Sequence, residues 1–261
     1  MTVSVSALQT RALLLDIEGT TTPIEFVYQV LFPFARTHAA EYLERNRESA
    51  DCRAAVALLG REFASEPADV AQVFRPAAGV AQDFSPAVAG VAQDFSPATI
   101  VAYIHWLMDR DRKSPGLKAL QGLIWQDGFK SGELRGQVYP DVAPAFKRWR
   151  ARGVDIYIYS SGSVLAQQLL FGSTDAGDLT TFLKGYFDTA VGPKTAPDSY
   201  RLIAERVHVA SSEILFVSDV LQELDAARTS GMRTALCVRD GDRASGSEFP
   251  PVIHSFDEIR D

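Results

Sequence analysis

The sequence predicts an α/β fold, a parallel sheet core into which a helical segment is inserted. Two observations predict the core: short apolar β-rich runs alternate with helical stretches over the second half of the chain, and each run stops at polar residues. A third predicts the insertion, since the stretch between the first two runs is almost wholly helical and too long for a simple crossover.

Residues 11–15 read as a short buried strand that ends in Asp16, Glu18 and a run of threonines. Helical spacing of Val30, Leu31 and Phe34, and later of Val56, Leu58, Leu59 and Phe63, then extends from about Phe26 to Glu66. VAQDFSPAVAG at 80–90 is followed by VAQDFSPATIV at 91–101, with a degenerate copy, VAQVFRPAAG, at 70–79. Each copy carries a proline and is too short for a solenoid unit, so the repeat reads as a low-complexity surface insertion. Helical periodicity resumes at Ile100 to Leu107 and at Leu117 to Trp125.

Val142 to Ala151 reads as a helix that Gly153 ends, and VDIYIY at 154–159 as the second strand. A short strand is expected near Phe187 to Val191, then a helix over 197–207 and a buried strand, EILFVS, at 213–218. A helix at 222–230 and a strand at Thr234 to Val238 follow. The expected domains are therefore 1–22 with 134–261 as the α/β core, and 23–133 as a helical cap with the repeat at about 70–99.

Composition narrows the function. With 261 residues and a net charge of −7, the chain can bury a substantial core and lacks the basic balance of a nucleic-acid binder. No apolar run reaches membrane-spanning length, and MTVSVSALQTRA has neither the charged nor the apolar region of a signal peptide. Cys52 and Cys237 stand alone without metal-type spacing, which points to a reduced, cytoplasmic setting, and the four histidines form no zinc motif.

In open parallel sheets, ligands bind beyond the carboxyl ends of the strands. Here those ends carry Asp16 and Glu18, Ser160 and Ser161, and Asp219, with Lys194 on the loop after another short strand. Carboxylates brought together repel, so one stays protonated unless a cation lies between them. Mg²⁺ suits this set, since it takes one or two carboxylates, keeps waters and is completed by a substrate phosphate. Lys194 and the Ser160 hydroxyl are candidates for the remaining phosphate oxygens, and Asp16 for in-line attack on phosphorus.

DIEGTT at 16–21, YSSGS at 159–163, Lys194 and SDVLQE at 218–223 resemble the four motifs of the haloacid dehalogenase superfamily. DIEGTTTPI, DRKSPGLKALQG, VYPDVAPAFKRW, YIYSSGSVLAQQLLFG and GYFDT narrow the resemblance to the enolase-phosphatases of methionine salvage, with Glu18 in place of the usual second aspartate. The resemblance implies a Rossmann-like core of the haloacid dehalogenase type and a monomer with one Mg²⁺. It implies a small-molecule phosphate ester as substrate, enolised and then hydrolysed. By analogy Asp16 is nucleophile and metal ligand, Glu18 lends its backbone carbonyl, and Asp219 completes the protein ligands. Ser160, Ser161 and Lys194 bind phosphate, and Glu223 orients a metal-bound water. Glu18 also stands where the general acid/base is expected, while Lys113 and Lys118 are candidates for contacting substrate from the cap.

Taken singly, each signal has a plainer reading. An Asp after an apolar run commonly caps a helix or turns the chain, Thr20 and Thr21 suit a turn, and Ser161 and Ser163 suit a helix start near Val164. Glu223 and Asp225 favour a helix dipole. The joint occurrence of Asp16, Ser160, Lys194 and Asp219 at strand ends carries the functional reading over the structural one. Of the alternatives, Glu18 and the long family-like stretches argue against a simple phosphomonoesterase, the length and the helical insertion against a phospho-accepting receiver domain, and the presence of Asp16 and Lys194 against an idle binding protein.

Overall fold

The computed structural model describes residues 3–4, 10–67, 69–70, 74, 96–239 and 251–260. Most of the repeat, 71–73 and 75–95, lies outside the described residues. The chain divides into two compact units, Met1–Tyr28 with Gly132–Asp261, and Gln29–Ser131.

The first unit is built on a six-stranded parallel sheet. Its strands are β2 (Ala12–Leu15), β3 (Asp155–Tyr159), β4 (Gly185–Phe187), β5 (Ile214–Ser218), β6 (Arg233–Cys237) and β7 (Val252–Ile253). Their order is β4-β3-β2-β5-β6-β7. A separate parallel pair joins β1 (Val3–Ser4) to β8 (Ile259–Arg260). Strands at the centre of a parallel sheet are covered on both faces, so they read as continuous apolar runs rather than alternating ones. ALLL in β2 and ILFVS in β5 are buried at every position.

The strand expected near Phe187 to Val191 occupies Gly185–Phe187 instead. Asp188 ends it, because its carboxylate accepts from Ala190 N at 2.9 Å and bends Thr189–Val191 into a 3₁₀ turn. Among the described residues, four helices connect the strands: α5 (Val142–Ala151), α6 (Val164–Gly172), α7 (Pro197–Val207) and α8 (Leu221–Thr229). Tyr200, Ile203, Leu224 and Ala227 from α7 and α8 join Leu14, Tyr159 and Phe216 from the sheet in one buried cluster.

The second unit is helical. It contains α1 (Phe32–Arg45), α2 (Ala50–Ala64), α3 (Pro97–Asp109) and α4 (Pro115–Ser131), the first preceded by a π-helical turn, Val27–Leu31. The Ser-Pro-Gly at 114–116 has a packing use here. Ser114 Oγ accepts from Leu117 N at 2.9 Å to start α4, and Glu62 on α2 accepts from Gly116 N at 2.9 Å and from the Ser114 hydroxyl. A Cβ at Gly116 would stand 2.7 Å from Leu59 N, so glycine there lets α2 and α4 touch. Among the described residues, no helix is long and apolar enough to cross a membrane.

Candidate active site

Register assembles the site. Leu15 lies opposite Ile158 on one side and Val217 on the other, and Asp16 N donates to Val217 O at 3.0 Å. The residues that follow these strands, Asp16, Ser160 and Asp219, therefore emerge at one carboxyl edge of the sheet.

Asp16 is buried and fully engaged. Its Oδ1 accepts from Ile17 N at 2.8 Å and from Lys194 Nζ at 2.5 Å, while Oδ2 accepts from Ser218 Oγ at 3.1 Å. The Lys194 ammonium also reaches Glu223 Oε2 at 2.7 Å. Burial alone would lower the lysine's pKa, but Asp16 and Glu223 outweigh it and hold the value above the ordinary one, so Lys194 is charged.

The surrounding carboxylates are in excess. Burial, and next Asp16, push Glu18 up to about 7. Asp219 is exposed as a residue, yet desolvation of its carboxyl and the nearby Asp16 push it up to about 6, and the same two causes raise Glu223. One ammonium among Asp16, Glu18, Asp219 and Glu223 leaves negative charge that a divalent cation would neutralise. Among the described residues no three His, Cys, Asp or Glu side chains converge as a ready-made metal cage. That donor set fits Mg²⁺, which needs only one or two carboxylates and fills its shell with carbonyl, water and phosphate oxygens.

Gly19 fits the first loop into this space. Its φ is +68°, and a Cβ there would stand 2.3 Å from Asp219 Oδ2. A Gly19→Ala variant must move either the loop or Asp219, and kcat is expected to fall about ten- to hundredfold, the cost of a misplacement near 1 Å. Steady-state kinetics beside a melting curve checks this, and unchanged kcat would mean the close approach is not needed for turnover.

Thr21 ties the same loop down, its hydroxyl reaching Asp16 O at 3.0 Å. Thr20 contributes its carbonyl, which accepts from Arg239 Nε at 2.8 Å. Arg239 lies over the Tyr139 and Phe256 rings, 4.4 and 4.5 Å from their centroids, and its guanidinium pairs with Asp141 Oδ2 at 2.6 Å. Sequence reasoning missed Arg239 and Asp141. Their partners are distant in sequence and partly backbone, so no spacing rule points to them; only the buried neighbourhood reveals the clamp.

Of the residues singled out in the sequence, Asp16, Lys194 and Glu223 are in direct contact, and Glu18 and Asp219 share their field. Ser160 is buried and joins the group by register; its hydroxyl accepts from Gly162 N at 3.0 Å. Ser161 is exposed, and Ser163 caps α6, accepting from Ala166 N. Lys113 and Lys118 belong to the second unit, Lys113 exposed and Lys118 half-buried.

Residues 10–231 match the haloacid dehalogenase-like hydrolase family, and the chain belongs to it. Within that family it is 48% identical over 247 residues to "Enolase-phosphatase E1" of Synechococcus elongatus, covering 95% of this chain and 96% of that relative. The protein of the same name from Citrobacter koseri is 44% identical over 250 residues, with the same coverage. Among solved structures, the UTR4 protein of Saccharomyces cerevisiae has a TM-score of 0.71 at 32% identity, covering 95% of this chain and 99% of that one. A haloacid dehalogenase phosphatase from Thermococcus onnurineus, with a TM-score of 0.54 at 18% identity, shares the fold.

Proposed function

We propose that this chain is a bifunctional, Mg²⁺-dependent enolase-phosphatase of methionine salvage. On this reading it enolises 2,3-diketo-5-methylthiopentyl 1-phosphate and then hydrolyses the phosphate ester, releasing the acireductone 1,2-dihydroxy-3-keto-5-methylthiopentene. The observation that carries the phosphatase half is the contact of buried Asp16 with Lys194 at a carboxyl edge crowded with carboxylates. The relatives' name, at 48% and 44% identity over nearly the whole chain, supports the enolase half.

In this reading the Asp16 carboxylate, the Glu18 backbone carbonyl and the Asp219 carboxylate hold the metal. Mg²⁺ held there would offset the repulsion between carboxylate and phosphate and would supply a Lewis acid for the diketone. Lys194 and the Ser160 and Ser161 hydroxyls hold the phosphate oxygens. An Asp16 carboxylate oxygen attacks phosphorus in line, the ester P–O bond breaks, and the leaving oxygen takes a proton. Glu18, whose carboxyl burial and Asp16 push up to about 7, is on this reading the group that gives that proton and takes one back from the water that hydrolyses the aspartyl-phosphate. On this reading the helical unit, Gln29–Ser131, corresponds to the cap domain expected over 23–133. The protein works as a cytoplasmic monomer on a small phosphate ester, without nucleic acid or membrane.

A two-channel assay tests the assignment by following enol absorbance and inorganic phosphate from the diketone phosphate, with and without Mg²⁺. Enol formation and phosphate release that both require Mg²⁺ are expected. Turnover of simple phosphate esters but not of the diketone would reduce the protein to an ordinary phosphomonoesterase.

A further inference from the structure

The loop that carries Lys194 is held in an unusual way. Its three successive carbonyls, of Gly192, Pro193 and Lys194, each accept from a different buried side-chain hydroxyl. Tyr159 donates to Gly192 O at 3.0 Å, Ser199 to Pro193 O at 2.8 Å and Tyr200 to Lys194 O at 2.7 Å. None of the three donors is more than 2% exposed. Burial raises both the Tyr159 and the Tyr200 phenols above their ordinary range, so both remain donors.

The donors are themselves fixed. The Tyr200 ring packs edge-on against Tyr159, with centroids 5.5 Å apart, and against Phe216, at 5.1 Å. Tyr159 ends β3 and Phe216 lies in β5, the two strands that flank β2, whose end presents Asp16. The backbone of Lys194 is thus referenced to the same strands that position Asp16. Gly192 completes the arrangement, with φ at +130° and a Cβ position 2.3 Å from Ser199 Oγ, so the loop lies directly on that hydroxyl.

We infer that Tyr200, Ser199 and Tyr159 are positioning residues for Lys194, their hydroxyls setting where its ammonium meets the substrate phosphate. The inference rests on the reading of Lys194 as a phosphate ligand. A flexible lysine on a free loop would find Asp16 and Glu223 in many geometries. Pinning three consecutive carbonyls leaves only the side chain's own torsions, which favours one ammonium position.

The test compares Tyr200→Phe and Ser199→Ala with Lys194→Ala in the full chain with Mg²⁺. Binding of inorganic phosphate is measured directly for each by titration calorimetry, beside a melting temperature. Tyr103→Phe in the second unit, which loses a phenol hydrogen bond to Glu66, controls for deletion of a buried hydroxyl. Lys194→Ala is expected to abolish phosphate binding. Tyr200→Phe and Ser199→Ala are expected to weaken it about fivefold or more, with Tyr103→Phe unchanged. Lowered melting temperatures with unaltered phosphate affinity in both hydroxyl variants, while Lys194→Ala loses it, would overturn the positioning role and leave the phosphate site standing. Unaltered phosphate affinity in Lys194→Ala would instead overturn the phosphate site, and the inference with it. Should Tyr200→Phe fail to fold, Ser199→Ala decides alone.

Discussion

Asp16→Asn is expected to lower phosphate release by roughly 10⁴- to 10⁶-fold, the scale on which loss of a covalent nucleophile acts. An amide oxygen is a poor nucleophile toward phosphorus, and no neighbouring group replaces it at the same point. The fold should tolerate the change. The amide oxygen can keep the bonds from Ile17 N and Lys194 Nζ, the amide nitrogen can donate to Ser218 Oγ, and Lys194 retains Glu223. One negative charge also leaves a site with more carboxylates than cations. The melting temperature should therefore hold or rise while turnover vanishes. Substantial phosphate release by a folded Asp16→Asn protein would remove Asp16 as the nucleophile.

Asp141→Ala is expected to destabilise the protein by about 3–5 kcal/mol, because it strands a buried guanidinium. Arg239 and Asp141 side chains are only 6% and 11% exposed. Asp141 Oδ2 also accepts from Phe256 N at 2.6 Å and Ser255 Oγ at 2.9 Å. Burial by itself would raise this carboxyl, but the bonds from Arg239 and Phe256 outweigh it and hold the pKa below the ordinary value. The stabilisation is therefore fully present above the unfolded pKa of about 3.9 and fades as pH falls through the lower folded value. Urea unfolding of wild type and Asp141→Ala should show the full gap at pH 7 and a narrowing one below about pH 4. A gap under 1 kcal/mol at pH 7 would mean that Arg239 finds another partner or solvent.

The central strands were legible because burial on both faces leaves no room for polar residues, so ALLL and ILFVS announce themselves. The placement of Asp16, Ser160 and Asp219 at one sheet edge followed from the same logic, since a carboxyl edge collects whatever ends its strands. The π-helical turn at Val27–Leu31 left no trace, because its apolar spacing is compatible with an ordinary helix. β4 was misplaced for a local reason: FDTAV has the composition of a strand, and only the Asp188 side chain turning back on Ala190 N ends it early. Arg239, Tyr200 and Ser199 were illegible for a different reason. Each works on a backbone carbonyl, which every residue has, so the partner's identity carries no signal.

The outermost strands of the six-stranded sheet are also its shortest, three residues in β4 and two in β7. A second molecule adding itself at either flank would gain a couple of backbone bonds, too few to repay its lost freedom. These two edges therefore offer little purchase for stacking edge to edge into fibrils. The apolar runs of β2 and β5 lie bare in the unfolded chain, so aggregation through them should begin once the sheet's centre opens.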